Sequence, residues 1–439
     1  MNVQLKAGYA KADITPNYPV PLGGYGNTHL RIHESVDGRI FAVCVALSDG
    51  VQRVLLYHLD LVYLTEENVA VCKKGISEAT GIPEDHILLN VTHTHSSPDL
   101  RSDLESIARY KEEFHRTIIN LAFPALADLD DAQLEIGSAT VENLNFVRRY
   151  LLSDGSYGGD NFGDFQNNRI LGHESEADHM MQAVRLVRAN KEDILLVNWQ
   201  AHPHPMGGAA IKVLTADVIG RFRELVEKKH GVLFAFYQGC GGNINSHSRI
   251  PEEGYGKNAD AIAAGLEEGL ANILYNMRPV RSGPIKVSAK IFRAEINHQW
   301  DHKVNDAQKV LEYWDGKHAS SATEYARSLG FNSVYHANAV LRRSKMADAL
   351  SYEIGAVSFG DVCVVWAPNE LYDATGVYLK SFLPFEMTFA CGYTNGAYFY
   401  MPTRRAFSHG GYECDICYYP AGTTEKLTRE LYEQGLLVR

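Results

Sequence analysis

The feature that most limits what this chain can fold into is a set of short, continuously apolar runs that each end abruptly in polar or glycine-rich residues. "HILLNV" (86–91) runs into "THTHSSPD", "DILLVNW" (193–199) into "QAHPHPMGG", and "VLFAFY" (232–237) into "QGCGGN". Runs of this length read as strands buried on both faces, and such strands need helices or another layer on either side. The segments between them supply helices. "TEENVAVCKKGISEAT" opens on Thr65 and acidic residues, as a helix N-terminus should, and "ADVIGRFRELVEKKHG" and "NADAIAAGLEEGLANILYNM" carry apolar residues at three-and-four spacing. Strand, helix, strand in this order predicts a crossover unit with any ligand at the carboxyl end of the second strand. His93 and His95 sit at such an end.

The rest of the chain fits one mixed α/β domain over 1–439, with a mixed-sheet core wrapped by helices and functional loops at strand ends. "RIFAVCVALSDGVQRVLLYHLDLVY" (39–63) is two β-branched runs joined around Ser48, Asp49 and Gly50, a hairpin signal, and "YEIGAVSFGDVCVVWAPNE" (352–370) repeats it around Phe359, Gly360 and Asp361. Residues 301–349 are charged and helix-favouring with a break at "FNS", which predicts a helical insertion or outer layer, and the tail from Thr423 reads as a terminal helix.

Charge and composition exclude several classes. A net charge of -11 leaves no basic footprint for nucleic acid or an anionic membrane. No apolar run approaches the ~20 residues that span a bilayer. The opening "MNVQLKAGYAKADITP" lacks a basic stretch followed by an apolar one, so the expected location is the cytoplasm. Seven cysteines, an odd number, do not form a disulfide framework. Cys414 and Cys417 make one CxxC without the second pair a zinc ribbon needs, so reduced, partly buried thiols are expected there.

Three strand exits carry the chemistry: "THTHSSPD", "NWQAHPHPMGG" and "WAPNELYD" offer His93, His95, His202, His204 and Glu370. Imidazoles plus one carboxylate are the ligands of a catalytic zinc, which keeps one position open for water. In an extended segment alternate residues point the same way, so His93 and His95 can share a face. That permits two ligands, or one ligand and one neighbouring acid or base, and spacing does not choose between them. Glu370 has a second reading as an acidic residue in the first turn of a helix starting near "NELYDATGVYLK". There is no HExxH helix, GxSxG elbow, Walker loop or GxGxxG fingerprint, and "QGCGGN" lacks the lysine of a phosphate loop.

These residues resemble the catalytic domain of the neutral, non-lysosomal ceramidases, zinc-dependent amidases that split N-acylsphingosine. The resemblance runs from "AGYAKADITP" and "LGGYG" to "NGAYFYMPTRRAFSHGGYE" and stops short of that family's C-terminal immunoglobulin-like domain. The family's "GTHTHSGPG" is similar to "VTHTHSSPD", which implies His93 as a zinc ligand and His95 as a catalytic neighbour. Its "HPVSM" is similar to "HPHPM" and its "PGE" to "PNE", which implies His202 and Glu370 as further ligands and leaves His204 extra. The resemblance also implies Tyr400 as a ligand, Tyr412 and Arg148 as catalytic residues, with Arg149 the adjacent alternative, and Gly24 and Asn245 as substrate-binding positions.

One departure bears on mechanism. The family's "GDVSP" loop carries a serine implicated in amide cleavage, and "GNINS" puts Asn245 in its place. An amide cannot serve as that nucleophile. The expected function is a zinc-dependent hydrolase, an amidase on an N-acylated and ceramide-like or other small substrate, working through a metal-activated water. The alternatives are an esterase on a soluble metabolite and a metal-stabilised binding protein without turnover. The oligomeric state is not encoded in any motif.

Overall fold

Alternation along the strands decides the layering. The computed structural model describes residues 4–25, 31–159, 168–253, 258–314 and 319–439. In the strand Phe41–Ser48, Ala42, Cys44 and Ala46 enter one core while Val43, Val45 and Leu47 enter another. Arg53–Leu59 divides likewise, with Leu55, Tyr57 and Leu59 opposite Val54 and Leu56. Side chains alternate with a period of two along a strand, so a sheet apolar at every position is covered on both faces. The helices Glu66–Thr80, Glu105–Ala127, Asp217–His230 and Ala259–Tyr275 cover one face. A second, four-stranded sheet, containing Ala349–Phe359 and Val362–Trp366, covers the other, with Val364 and Trp366 packed into the core of Val43 and Leu56. The far side of that second sheet meets the helices Asp373–Phe382 and Thr423–Leu437 through Leu379, Leu427 and Leu431. The architecture is therefore mixed α/β in four layers, helix–sheet–sheet–helix.

Both predicted hairpins form, with Gly50 and Gly360 at positive φ in their turns, the conformation glycine adopts at no steric cost. Thr65 caps the first helix by accepting from the Asn68 amide, and the strand Ile87–Val91 returns parallel to Arg53–Leu59, as a crossover requires. Ile194–Trp199 and Leu233–Gln238 make the corresponding parallel pair around Asp217–His230.

The nine-stranded first sheet has Ile87–Val91 and Leu233–Gln238 at the two ends of its strand order, and these ends meet. Side chains replace the missing ladder. The Asn90 side-chain oxygen Oδ1 accepts from the Gln238 backbone amide at 2.8 Å, and His58 Nδ1 accepts from the Phe236 backbone amide at 2.9 Å. Residues 393–395 cover the remaining edge, with the Val91 amide donating to the Tyr393 carbonyl and the Asn395 amide to that of Leu89. The carboxyl ends of both parallel pairs, and the histidines that follow them, are thereby brought to one place.

Residues 301–349 contain the helices Val304–Trp314, Ala319–Ser328 and Val334–Arg343, which build their own small core around Val310, Phe331 and Val340. Ser333 of "FNS" caps the third helix. Arg343 ties this layer inward by donating to the Cys417 carbonyl at 2.6 Å, and the Tyr335 ring meets Tyr412 at 5.8 Å. All seven cysteines are free and buried. No described helix is long and apolar enough to cross a membrane.

Candidate metal centre

His93 and His95 leave the strand Ile87–Val91 in a way that simple alternation does not anticipate. His93 adopts φ 65°, the left-handed region that a non-glycine residue occupies only when its surroundings hold it there. The segment is therefore kinked, not extended. His93 Nδ1 lies 2.6 Å from the Val62 carbonyl oxygen, and a carbonyl only accepts, so Nδ1 carries the proton and Nε2 of the neutral ring is a lone pair. The kink brings His95 Nε2 to 3.2 Å from that atom.

His202 arrives from the second parallel pair. Pro203 follows it and restricts it to extended backbone, which places it beside Asn245 in a parallel bridge. Its Nδ1 donates to the carbonyls of Gly241 and Ile244 at 2.9 and 3.0 Å, so His202 also presents Nε2 as a lone pair. The glycine-rich "QGCGGN" loop makes this approach possible. A side chain at Gly242 would begin 2.4 Å from the Glu370 carbonyl oxygen.

Glu370 completes the convergence. It belongs to the two-residue strand Glu370–Leu371, paired in parallel with Tyr400–Met401 so that Glu370 lies opposite Tyr400. The helix-capping reading of Glu370 does not hold, because that helix starts at Asp373, its first acidic residue. Glu370 Oε2 stands 3.4 Å from His93 Nε2 and 3.3 Å from His202 Nε2. Among the described residues neither His202 Nε2 nor Glu370 Oε2 has a hydrogen-bond partner, although both atoms are buried. Three electron-rich atoms thus face one another with no proton between them, an arrangement a cation relieves and its removal leaves repulsive. Among the described residues, His93, His95 and His202 offer nitrogens all within 4.8 Å of one another, a set that could hold a metal ion. Backbone carbonyls that fix the unbound ring nitrogen are the usual support of metal-binding histidines.

The remaining sequence-predicted residues join this cluster. Buried Arg148 donates Nε to Glu413 at 2.7 Å, Nη2 to the Tyr400 hydroxyl and the Gly242 carbonyl at 3.0 Å each, and Nη1 to Asn245 Oδ1 at 3.4 Å. Four of its five N–H groups are used, which leaves one on Nη1. Arg149 points elsewhere, to Glu174 and the carbonyls of Ala406 and Gly410, so Arg148 is the one at the cluster. The Tyr412 ring lies 6.2 Å from Tyr400, edge to face. Gly24 packs directly on His95: a side chain there would begin 2.5 Å from His95 Cγ.

Asn245 is oriented by chemistry. Arg148 can only donate, so the Asn245 atom facing it is oxygen, and His204 Nε2, 3.0 Å from the same oxygen, must carry its proton. The Asn245 NH₂ consequently faces away from both. His204 continues the histidine cluster to His247, with ring centroids 5.2 Å apart.

Electrostatics keep these groups in ligand-competent forms. Burial, with Arg148 adding to it, lowers His202 to about 4. Burial and the neighbouring imidazoles also hold His95 and His204 well below the ordinary histidine value. Burial pushes Glu370 upward, and only positive charge beside it, of the kind His93 and His202 carry when protonated or a bound cation supplies, outweighs that and holds the carboxyl well below the usual carboxylate range. Tyr400 and Tyr412 are raised by burial and stay protonated.

Sequence reading missed Tyr393. Its ring lies on His93 with centroids 4.4 Å apart, its buried hydroxyl has no partner among the described residues, and it adopts φ 53°. Of six described non-glycine residues at positive φ, His93, Asp217, Tyr393, Asn395 and Phe399 lie at or beside the segments that form the cluster, where backbone strain tends to gather. Glu413 was missed as well, although "GYE" placed it beside Tyr412. It binds both Arg148 and Arg149.

No family model matches the sequence, and no curated protein matches it. Solved structures do resemble it. The crystal structure of neutral ceramidase from Pseudomonas aeruginosa superposes with a TM-score of 0.73 at 18% identity, covering 100% of this chain and 75% of that one. A ceramidase complexed with C2 gives a TM-score of 0.74 at 18% identity, covering 100% and 76%. This chain has the mixed α/β fold of the neutral ceramidases.

Proposed function

We propose that this protein is a zinc-dependent amidase that hydrolyses the amide bond of an N-acylated substrate. The observation that carries the reading is the convergence of His93 Nε2, His202 Nε2 and Glu370 Oε2 without hydrogen bonds between them. Two imidazoles and a carboxylate, with Tyr400 beside them, suit zinc better than a hard cation, which prefers an all-oxygen shell. A zinc ion held there supplies polarisation of the scissile carbonyl and lowers the pKa of a water to about 7.

The chain's own residues do the rest. His95, unprotonated at neutral pH, takes a proton from the attacking water. The spare N–H of Arg148 and the Tyr412 hydroxyl donate to the carbonyl oxygen as it gains negative charge, and each such donor is worth about 10²–10³ in rate. The Asn245 NH₂, set by His204, orients the substrate. The water oxygen joins the acyl carbon first. The oxyanion then collapses with loss of the carbon–nitrogen bond as the proton held by His95 passes to the departing nitrogen, and the acid formed gives up its remaining proton, which the amine takes at neutral pH. The products are a carboxylate and an ammonium. Asn245 in the serine position supports attack by water instead of a protein nucleophile.

Amine release from N-acyl amides, with simple esters alongside, tests this. The zinc-loaded protein should turn over amides, and His93→Ala should lose zinc and turnover together. Amide turnover that survives complete removal of the metal would sink the proposal, and cleavage of esters alone would favour the esterase reading.

A further inference from the structure

The metal cluster adjoins a cavity of about 40 Å³ whose wall includes His93, Glu370, Tyr393 and Arg101. Arg101 also belongs to the wall of an open surface groove of about 590 Å³, with Glu66, Glu67, Asp103 and Lys111. One arginine, Arg101, therefore lines both the cavity beside the ligand side chains and the polar surface groove.

That arginine is pre-organised. Its guanidinium lies over the Tyr63 ring at 3.7 Å, and the Tyr63 hydroxyl is bonded to Asp99. Asp99 Oδ1 lies 3.6 Å from Arg101 Nε and accepts the Arg101 backbone amide at 3.0 Å. These contacts hold the stem and one edge of the guanidinium. The two terminal nitrogens make no hydrogen bond or ion pair with any described residue. A stacked, planar fork with its outer donors unused matches a carboxylate, which accepts two parallel N–H bonds.

Size sets the other half of the inference. A water needs about 10–15 Å³ of such space, so the inner cavity admits roughly three non-hydrogen atoms, the size of an acetyl group. A long acyl chain does not fit there. We infer that the substrate is a short-chain N-acyl compound whose amine half carries a carboxylate, with the acyl group in the inner cavity and the carboxylate on Arg101. This rests on the amidase reading and narrows it to a class of small anionic amides. The acidic residues and Lys111 of the outer groove then face the polar remainder of the amine half.

Calorimetric titration of the zinc-loaded full chain separates this inference from the amidase reading. The ligands are N-acetyl-alanine, its neutral carboxamide and N-hexadecanoyl-alanine, with amine release followed in the same samples. The carboxylate should bind about 10- to 100-fold more tightly than the carboxamide, the range expected for hydrogen bonds to a charged group. Arg101→Gln should bring that ratio close to one while thermal melting shows the variant folded. Absence of binding by N-acetyl-alanine, equal affinity for the carboxamide, tighter binding of the long-chain compound, or an unchanged ratio in R101Q overturns the inference. Binding that follows the expected pattern without amine release keeps the ligand class and overturns the amidase reading.

Discussion

Gly24→Ala is the most informative small change the structure offers. The added carbon would lie 2.5 Å from His95 Cγ, 2.6 Å from its Cβ and 2.8 Å from its Cα. Carbon atoms rest about 3.5–4.0 Å apart, so His95 must retreat by roughly 1 Å. Backbone is among the contacts, so no rotamer of His95 relieves them. The φ of +96° adds a penalty of about 1–2 kcal/mol for any residue with a side chain, and overpacking adds about 1–3 kcal/mol. The variant should therefore lose about 2–5 kcal/mol and still fold. A reacting group displaced by about 1 Å costs on the order of 10² in rate. None of the contacts that fix His93, His202 and Glu370 involves Gly24. The expected result is a kcat reduced about 100-fold with zinc content unchanged, read from initial rates, elemental analysis and a denaturant melt of one preparation. Full activity would refute the argument that His95 must stand where Gly24 lets it. Loss of zinc in step with activity would instead make His95 a ligand, the alternative that the THTH spacing leaves open.

Glu413→Gln removes the one carboxylate shared by buried Arg148 and Arg149, and stability should fall by about 3–5 kcal/mol, as it does when a buried pair loses one partner; an unchanged urea midpoint would contradict this. Metal-free protein should weaken in acid: His202 titrates near 4 when folded and near 6.5 when unfolded, so the unfolded chain binds the proton first. Its contribution is complete above about pH 6.5 and is lost as pH falls towards 4, in all about 3 kcal/mol at about 1.4 kcal/mol per unit. Urea melts of the metal-free protein that agree at pH 7 and pH 4.5 would count against it. His204→Ala releases the Asn245 amide from its fixed orientation and should lower kcat about tenfold without metal loss, while His204→Gln, which keeps a donor, should recover most of the rate. Equal rates in both variants would remove His204 from the mechanism.

The legible and illegible parts of this chain divide along a physical line. Local signals were readable: Thr65 as a cap, Gly50 and Gly360 in turns, and apolar runs ending in histidines at the carboxyl ends of parallel strands. Each depends on neighbours a few residues away. The four-layer packing was not readable, because a strand apolar on both faces does not say whether helices or another sheet will cover it. Nor was the seam where Asn90 meets Gln238, which joins residues 148 positions apart. His93 and His95 were paired by the right spacing through the wrong geometry, since the chain there is kinked at φ 65°. Arg148 could be told from Arg149 only once Glu174, Ala406 and Gly410 were seen to occupy the latter. Tyr393 left no signal, because a tyrosine among tyrosines carries none until its hydroxyl is found buried without a partner.

The proposed chemistry requires one ion shared by side chains 93, 202 and 370. Crystals of protein purified without chelators, measured on both sides of the zinc absorption edge, test it most directly. The expected result is a single strong anomalous peak about 2.0–2.2 Å from His93 Nε2, His202 Nε2 and Glu370 Oε2. A map with no peak there, or with zinc bound elsewhere and those three side chains hydrogen-bonded to one another, would contradict it.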